Sequence, residues 1–302
     1  MQLGAIYPQT ELHGDPQALH AIGCAVEAAG YDYLLMFDHV AGAVHEGRNP
    51  PLFGPYTEKH PFHDPFVAFA YLAGVTRRIG FATGVLVLPQ RQTLLVARQA
   101  ADVELLSGGR LRLGVSVGWN PVEYEALGQD FHTRGRRLDE QIGLLRRLWT
   151  EPMLNFTGSF DRIDRAGLNP RPARPIPIYC GGNSDPAYRR ASRLADGFIF
   201  SGRLEASILP AWARTRSYLK AEGRSGEGFG AEYLLPEGAD IPTSLDLIRR
   251  WRDAGGTHAA VRTMGLGFTE ARQHIDRLAE IRQRLAQSGW SSGSVTRGRV
   301  DG

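Results

Sequence analysis

The sequence predicts a single (β/α)8 TIM barrel over residues 1–288, with insertions at its C-terminal face. Three observations predict it. Eight short apolar, β-rich runs alternate with longer amphipathic stretches from one end of the chain to the other, and such alternation indicates a parallel α/β fold. Each run is nearly continuous in apolar character, as a parallel strand covered on both faces requires. Eight such units in 302 residues suit a closed barrel, which typically takes ~250. An open dinucleotide-binding sheet would place G-x-G-x-x-G directly after the first strand, and "YPQTELHGD" does not supply it.

The first run, "LGAIYP", leads into "DPQALHAIGCAVEAAG". There Asp15 is the expected N-cap, Pro16 lies in the first turn, and Gly30 stands just past the end. The second run, "YDYLLMF", is followed by a long stretch, Ala41 to His63, and then by a second Asp-Pro helix start at Asp64-Pro65. That stretch is proline-bearing and aromatic, and after a barrel strand it lies on the face where active sites are built. The third run, "IGFATGVLVL", precedes "TLLVARQAADVELLSGG", whose glycine pair is a helix stop. The fourth, "LRLGVSV", comes before "RGRRLDEQIGLLRRLW", read as a salt-bridged amphipathic helix rather than a nucleic-acid stripe. Residues 152–175 exceed a simple connection and predict an irregular segment or a small hairpin. The fifth run, "IPIYC", meets a third Asp-Pro start at Asp185-Pro186. "GFIFS", "AEYLLP" and "HAAVRTM" complete the eight, and residues 289–302, polar and rich in glycine and serine, predict a disordered tail.

With 42% hydrophobic residues the chain can bury a substantial core. A net charge of +3 with scattered arginines hints at anionic ligands and makes no case for nucleic acid. Cys24 and Cys180 have no partners at metal-ligand spacing, which predicts free thiols in a reducing compartment and no bound metal. No basic segment followed by a long apolar one marks a secretory signal at the N-terminus, and runs such as "GVLVL" are too short to span a bilayer. The expectation is a cytoplasmic protein without membrane or nucleic-acid partners.

In a barrel, the C-terminal ends of the strands hold the candidates for chemistry. The second strand ends on Asp38-His39, two groups costly to bury. His39 can exchange a proton near neutral pH, and Asp38 can orient it or bind a ligand; a capping acid beside a packed histidine is the plain alternative. Gly84 interrupts an apolar third strand, marking a bulge, a close backbone approach or merely a packing glycine. Trp119, after Gly118, could wall a pocket or fill the core. "CGGNSDP" has the form of a loop whose N–H groups grip a phosphate at a helix start, or of a tight turn with an N-cap. His60 and His63 lack an acid or cysteine at a metal spacing, and neither a G-x-S-x-G elbow nor a Walker lysine loop occurs.

From Met1 to about Gly202 these stretches together resemble the bacterial luciferase-like superfamily of flavin and deazaflavin oxidoreductases. The resemblance rests on "FDHV", "GVLVLPQR", "SGGRLRLGVSVGW", "RGRRLDEQ" and "IPIYCGGNS" leading to "ADGFIFSG", in that order. "GVSVGWNPVEYEALG" with "FHTRGRRLDE" is most similar to the branch that uses coenzyme F420, a 5-deazaflavin. The resemblance implies a non-proline cis peptide at Gly84-Val85 backing the cofactor ring, with Leu86 and Val87 beside it. It places Asp38 in contact with the deazaflavin and His39, the expected catalytic residue, near its reactive carbon. Gly118 and Trp119 join the cofactor-binding positions, and Gly181, Gly182, Asn183 and Ser184 match the loop on the phosphate-bearing tail. The sugar-phosphate dehydrogenase branch has a catalytic glutamate where Trp119 stands, which argues against that branch's substrate. The implied activity is hydride transfer between F420 and a small-molecule substrate, in a homodimer. The alternatives are an FMN-dependent monooxygenase and a non-catalytic barrel that binds a flavin or a partner.

Overall fold

A computed structural model describes residues 1–290. In chain order its elements are β1 (Gln2–Ile6), α1 (Pro16–Ala28), β2 (Tyr33–Met36), α2 (Pro65–Val75), β3 (Gly80–Thr83), β4 (Leu86–Val87), α3 (Thr93–Leu106), β5 (Leu111–Ser116), α4 (Pro121–Ala126) and α5 (Arg134–Thr150). There follow β6 (Leu154–Thr157), β7 (Arg162–Ala166), β8 (Ile178–Gly181), α6 (Asp185–Leu194), β9 (Gly197–Ser201), α7 (Leu209–Ala221), β10 (Gly230–Leu234), α8 (Ile241–Asp253), β11 (His258–Val261) and α9 (Ala271–Gln287). The strands pair in parallel from β1 through β2, β3 and β4, β5, β8, β9 and β10 to β11, which pairs back with β1. That is a closed eight-position barrel.

The third position is split. Gly84-Val85 is a cis peptide, and both halves of the strand stay paired with β5. Gly84 is needed there because a Cβ would sit 2.3 Å from the Leu35 side chain. Residues 152–175 contain the antiparallel hairpin β6–β7, whose turn donates the N–H groups of Ser159, Phe160 and Asp161 to Glu140 on α5.

Asp15 and Asp64 cap their helices as expected, accepting from Gln17 N and from Phe66 N and Val67 N respectively. The third Asp-Pro does not. Asp185 is the first residue of α6, and its carboxylate accepts from Tyr218 Oη at 3.0 Å and Arg214 Nη1 at 3.2 Å on α7. Ser184 takes the N-cap position and makes no side-chain cap. Trp290, expected at the start of the tail, is 8% exposed and lies under the Arg252 guanidinium, because its indole adds apolar area to the helical shell. The rest of the expected tail lies outside the described residues.

Inside the barrel, Ile6, Leu35, Phe37, Ala82, Ile199, Leu234, Ala260 and Met264 pack against one another. At the amino-terminal end of the strands this lining gives way to a buried polar cluster. Arg112 pairs with Glu232 through both terminal guanidinium nitrogens, Nη1 and Nη2, and Tyr33 Oη donates to the same carboxylate at 2.6 Å. The guanidinium lies between the Tyr33 and Tyr179 rings, 4.7 and 4.4 Å from their centres. Glycines make the room: a Cβ on Gly4 would fall 2.2 Å from the Tyr33 ring, and one on Gly230 1.8 Å from Tyr179 Oη. The base of the barrel is therefore filled. Among the described residues, no helix is long and apolar enough to cross a membrane, and no cluster of histidine, cysteine and acid could hold a metal ion.

Candidate active site

At the opposite, carboxy-terminal end the strands open into a cavity of about 900 Å³. It is lined by Asp38, His39, Gly84, Val85, Val87, Gly118, Trp119, Gly181, Gly182, Asn183 and Ser184. Leu86 is the exception among the expected site residues. It is fully buried in the layer between strands and helices, because side chains alternate across a strand and Val85 and Val87 take the inward face.

Asp38 reaches the site but neither orients His39 nor offers a free carboxylate. It is 2% exposed, accepts from Val87 N at 3.0 Å, and pairs with Arg91 Nη2 at 2.7 Å. It thus ties the end of β2 to the far half of the split strand. Burial pushes its carboxyl above the ordinary value, with the Arg91 guanidinium opposing the shift.

The partner of His39 is Glu123, which the sequence reading missed. Asn120 caps α4 through Val122 N and Glu123 N and sets Glu123 in the first turn. Its Oε2 meets His39 Nδ1 at 3.1 Å and accepts from Gln90 Nε2 at 3.0 Å. Its Oε1 accepts from Val40 N at 2.5 Å and Ala41 N at 3.1 Å. Burial works to raise the Glu123 carboxyl, but the bonds from His39, Gln90 and Ala41 outweigh it and hold the group below the usual range. A carboxylate at Nδ1 favours the tautomer with its proton there, leaving Nε2 as the acceptor of the neutral ring. The available signal was an acid just after an Asn-Pro helix start at a barrel strand end.

The long loop after β2 folds down on this pair. Tyr56, Phe62 and Trp119 meet the His39 ring edgewise at 5.2, 5.1 and 5.7 Å. Gly54 lets the loop sit on Trp119, since a Cβ there would come within 2.1 Å of the indole. Trp119 is therefore a wall of the cavity.

Across the mouth, two helices begin at the cavity. Ser184, before α6, makes no side-chain cap, which leaves the positive end of that helix dipole for an anion. Helix α5 instead continues a short 3-10 turn in which Asp130 accepts from His132 N and Arg134 N donates to Phe131 O. Gly182 has φ +139°, which disfavours any other residue, and a Cβ there would be 3.0 Å from Ala187 Cβ. His132, Arg134 and Arg190 line the same end. The Asp185 carboxylate at this end pairs with Arg214.

The mouth of a closed parallel barrel thus sets a carboxylate-backed histidine opposite a glycine-rich helix start. The chain belongs to the luciferase-like monooxygenase family, whose model matches residues 3–234. An uncharacterised protein of Mycobacterium tuberculosis is 34% identical over 242 residues, 78% of this chain and 82% of that protein. F420-dependent glucose-6-phosphate dehydrogenase of Nakamurella multipartita is 32% identical over 187 residues, 61% of this chain and 52% of that enzyme. A long-chain alkane monooxygenase superposes with a TM-score of 0.78 at 13% identity, over 99% of this chain and 94% of its own, which shows the shared fold.

Proposed function

We propose that the protein binds coenzyme F420 in this cavity and transfers a hydride between it and a small organic substrate. The observation that carries the reading is the pairing of a polar, N–H-rich end at Gly181–Ser184 with an apolar wall at Val85 and Ile199. A phosphate and a flat ring require those two surfaces. The backbone fits: a Cβ on Gly181 would stand 2.7 Å from Val85 Cγ1, and one on Gly118 2.6 Å from Val87 Cγ1. When bound, a deazaflavin supplies the carbon that carries hydride, and the protein orients it and excludes competitors. His39 holds or moves a proton at Nε2 while Glu123 fixes the ring. Tyr56, Phe62 and Trp119 shield the imidazole from water. Asp38, with Arg91, holds the split strand in register beneath the ring.

FMN is the competing cofactor, favoured by the family's monooxygenase members. Titrating apoprotein with both should give at least tenfold tighter binding of F420, a gap of ~1.4 kcal/mol. Tighter FMN binding with oxygen-dependent turnover would install the monooxygenase reading instead. Gly182→Leu should weaken binding of either cofactor while circular dichroism stays unchanged; undiminished affinity would remove the glycine loop from the phosphate site.

The protein is proposed to work as a homodimer, in a reducing cytoplasm consistent with its free thiols Cys24 and Cys180. Helix α2 is apolar all round. Phe66, Phe69 and Leu72 are buried, while Val67, Tyr71 and Val75 stay 68%, 46% and 40% exposed. An all-apolar helix belongs in an interior, and on the adjoining α3 Leu95 and Leu106, which share one helix face, are exposed as well. Light scattering should give twice the chain mass, and Val67→Glu with Leu106→Glu should yield a folded monomer. A monomeric wild type would sink the assignment.

A further inference from the structure

Arg262 follows β11 and enters the cavity far from the glycine loop. Around the barrel, β11 stands four places from β5 and three from β8, the strands that lead to the two helix starts. Its side chain is 15% exposed, with the guanidinium carbon 5.2 Å from the centre of the Phe37 ring. The other arginines that matter to the fold are consumed by partners: Arg112 by Glu232, Arg91 by Asp38 and Asp64, Arg190 by Asp139. Arg262 is not. Its Nε, like those of Arg91 and Arg134, is buried without a hydrogen-bond partner among the described residues, but those two bond acceptors through their Nη atoms and Arg262 does not. Its nearest acid, Glu237 Oε2, lies 3.8 Å from Nη1, beyond hydrogen-bond range, on a side chain 62% exposed.

A largely buried guanidinium with unspent donors is costly unless an anion completes it. Phe37, Tyr56, Leu234 and Met264 line the same wall, so the groove beside the cation is apolar. The Arg262 charge also acts on the Tyr56 hydroxyl, lowering a phenol that burial otherwise raises.

We infer that Arg262 is the specificity-determining residue for substrate, and that the substrate is an organic carboxylate with an apolar body. This rests on the reading that the cofactor occupies the side from β3 to β8. The planar fork of the guanidinium matches a carboxylate through two parallel bonds, while the apolar part lies against Phe37 and Met264. Glu237 is the gatekeeper: its carboxylate competes for the same cation.

The test is calorimetric titration of the full-length protein, with and without FMN or F420, using benzoate, phenylacetate, 3-phenylpropionate and octanoate against their amides. Wild type should prefer the acids by about 10- to 100-fold, the range of a charge-assisted hydrogen bond. Arg262→Gln should erase that preference without weakening cofactor binding, and Glu237→Gln should tighten the acids. The second variant keeps the test decisive if Arg262→Gln does not fold. Equal binding of acids and amides, no binding of any acid, or a preference unchanged in both variants would overturn the inference. Loss of cofactor affinity in Arg262→Gln would overturn it too, by making Arg262 a cofactor ligand. Failure of wild type to bind either cofactor would instead strike the proposed activity, since the acid preference is read on apoprotein as well.

Discussion

His39→Ala is expected to lower turnover by about 10²–10⁴-fold with F420 still bound, the usual weight of general acid–base assistance. The expectation follows from Glu123, which already accepts four hydrogen bonds and presents the ring in one tautomer. Cofactor affinity and the single-turnover rate separate the outcomes. If affinity falls and the chemical step survives, His39 is a ring contact and not a proton carrier. Glu123→Gln supplies the control for positioning. The amide puts NH2 in place of one oxygen, and each oxygen serves two donors, so a pair of donors loses its acceptor. Turnover should fall and its pH profile shift while the cofactor affinity holds.

The second large effect belongs to the base of the barrel. Glu232→Ala leaves the Arg112 guanidinium between two tyrosines with no counter-charge, and removing one member of a buried pair costs about 3–5 kcal/mol. Urea denaturation should show that loss as a lower midpoint. Arg112→Met with Glu232→Leu should recover most of it, because apolar residues of similar volume replace buried ion pairs at little cost. A Glu232→Ala midpoint equal to wild type would mean that water already reaches the pair.

Local patterns were legible and long-range partners were not. The eight apolar runs read directly as strands, and a glycine in an apolar run marked the split third strand. Two of the three Asp-Pro starts capped as read. Asp185 did not, because Arg214 and Tyr218, some 30 residues on, draw its carboxylate away from its own helix. Asp38 and His39 looked like a pair because they are adjacent. Adjacent side chains in an extended segment diverge, so Asp38 turns to Arg91 and His39 to Glu123. Leu86 was grouped with its neighbours when alternation sends it outward. For Asp185, Asp38 and His39 the missing information was a contact with a distant segment, which no single segment contains.

The cluster of Arg112, Glu232, Tyr33 and Tyr179 has a kinetic meaning beyond stability. A barrel plugged at one end has a single doorway, so the proposed cofactor and substrate would share one route. Whichever sits deeper against the split strand enters first and leaves last. Binding in a compulsory sequence, with the shallower ligand inhibiting release of the deeper one, is the traffic pattern such a cul-de-sac imposes.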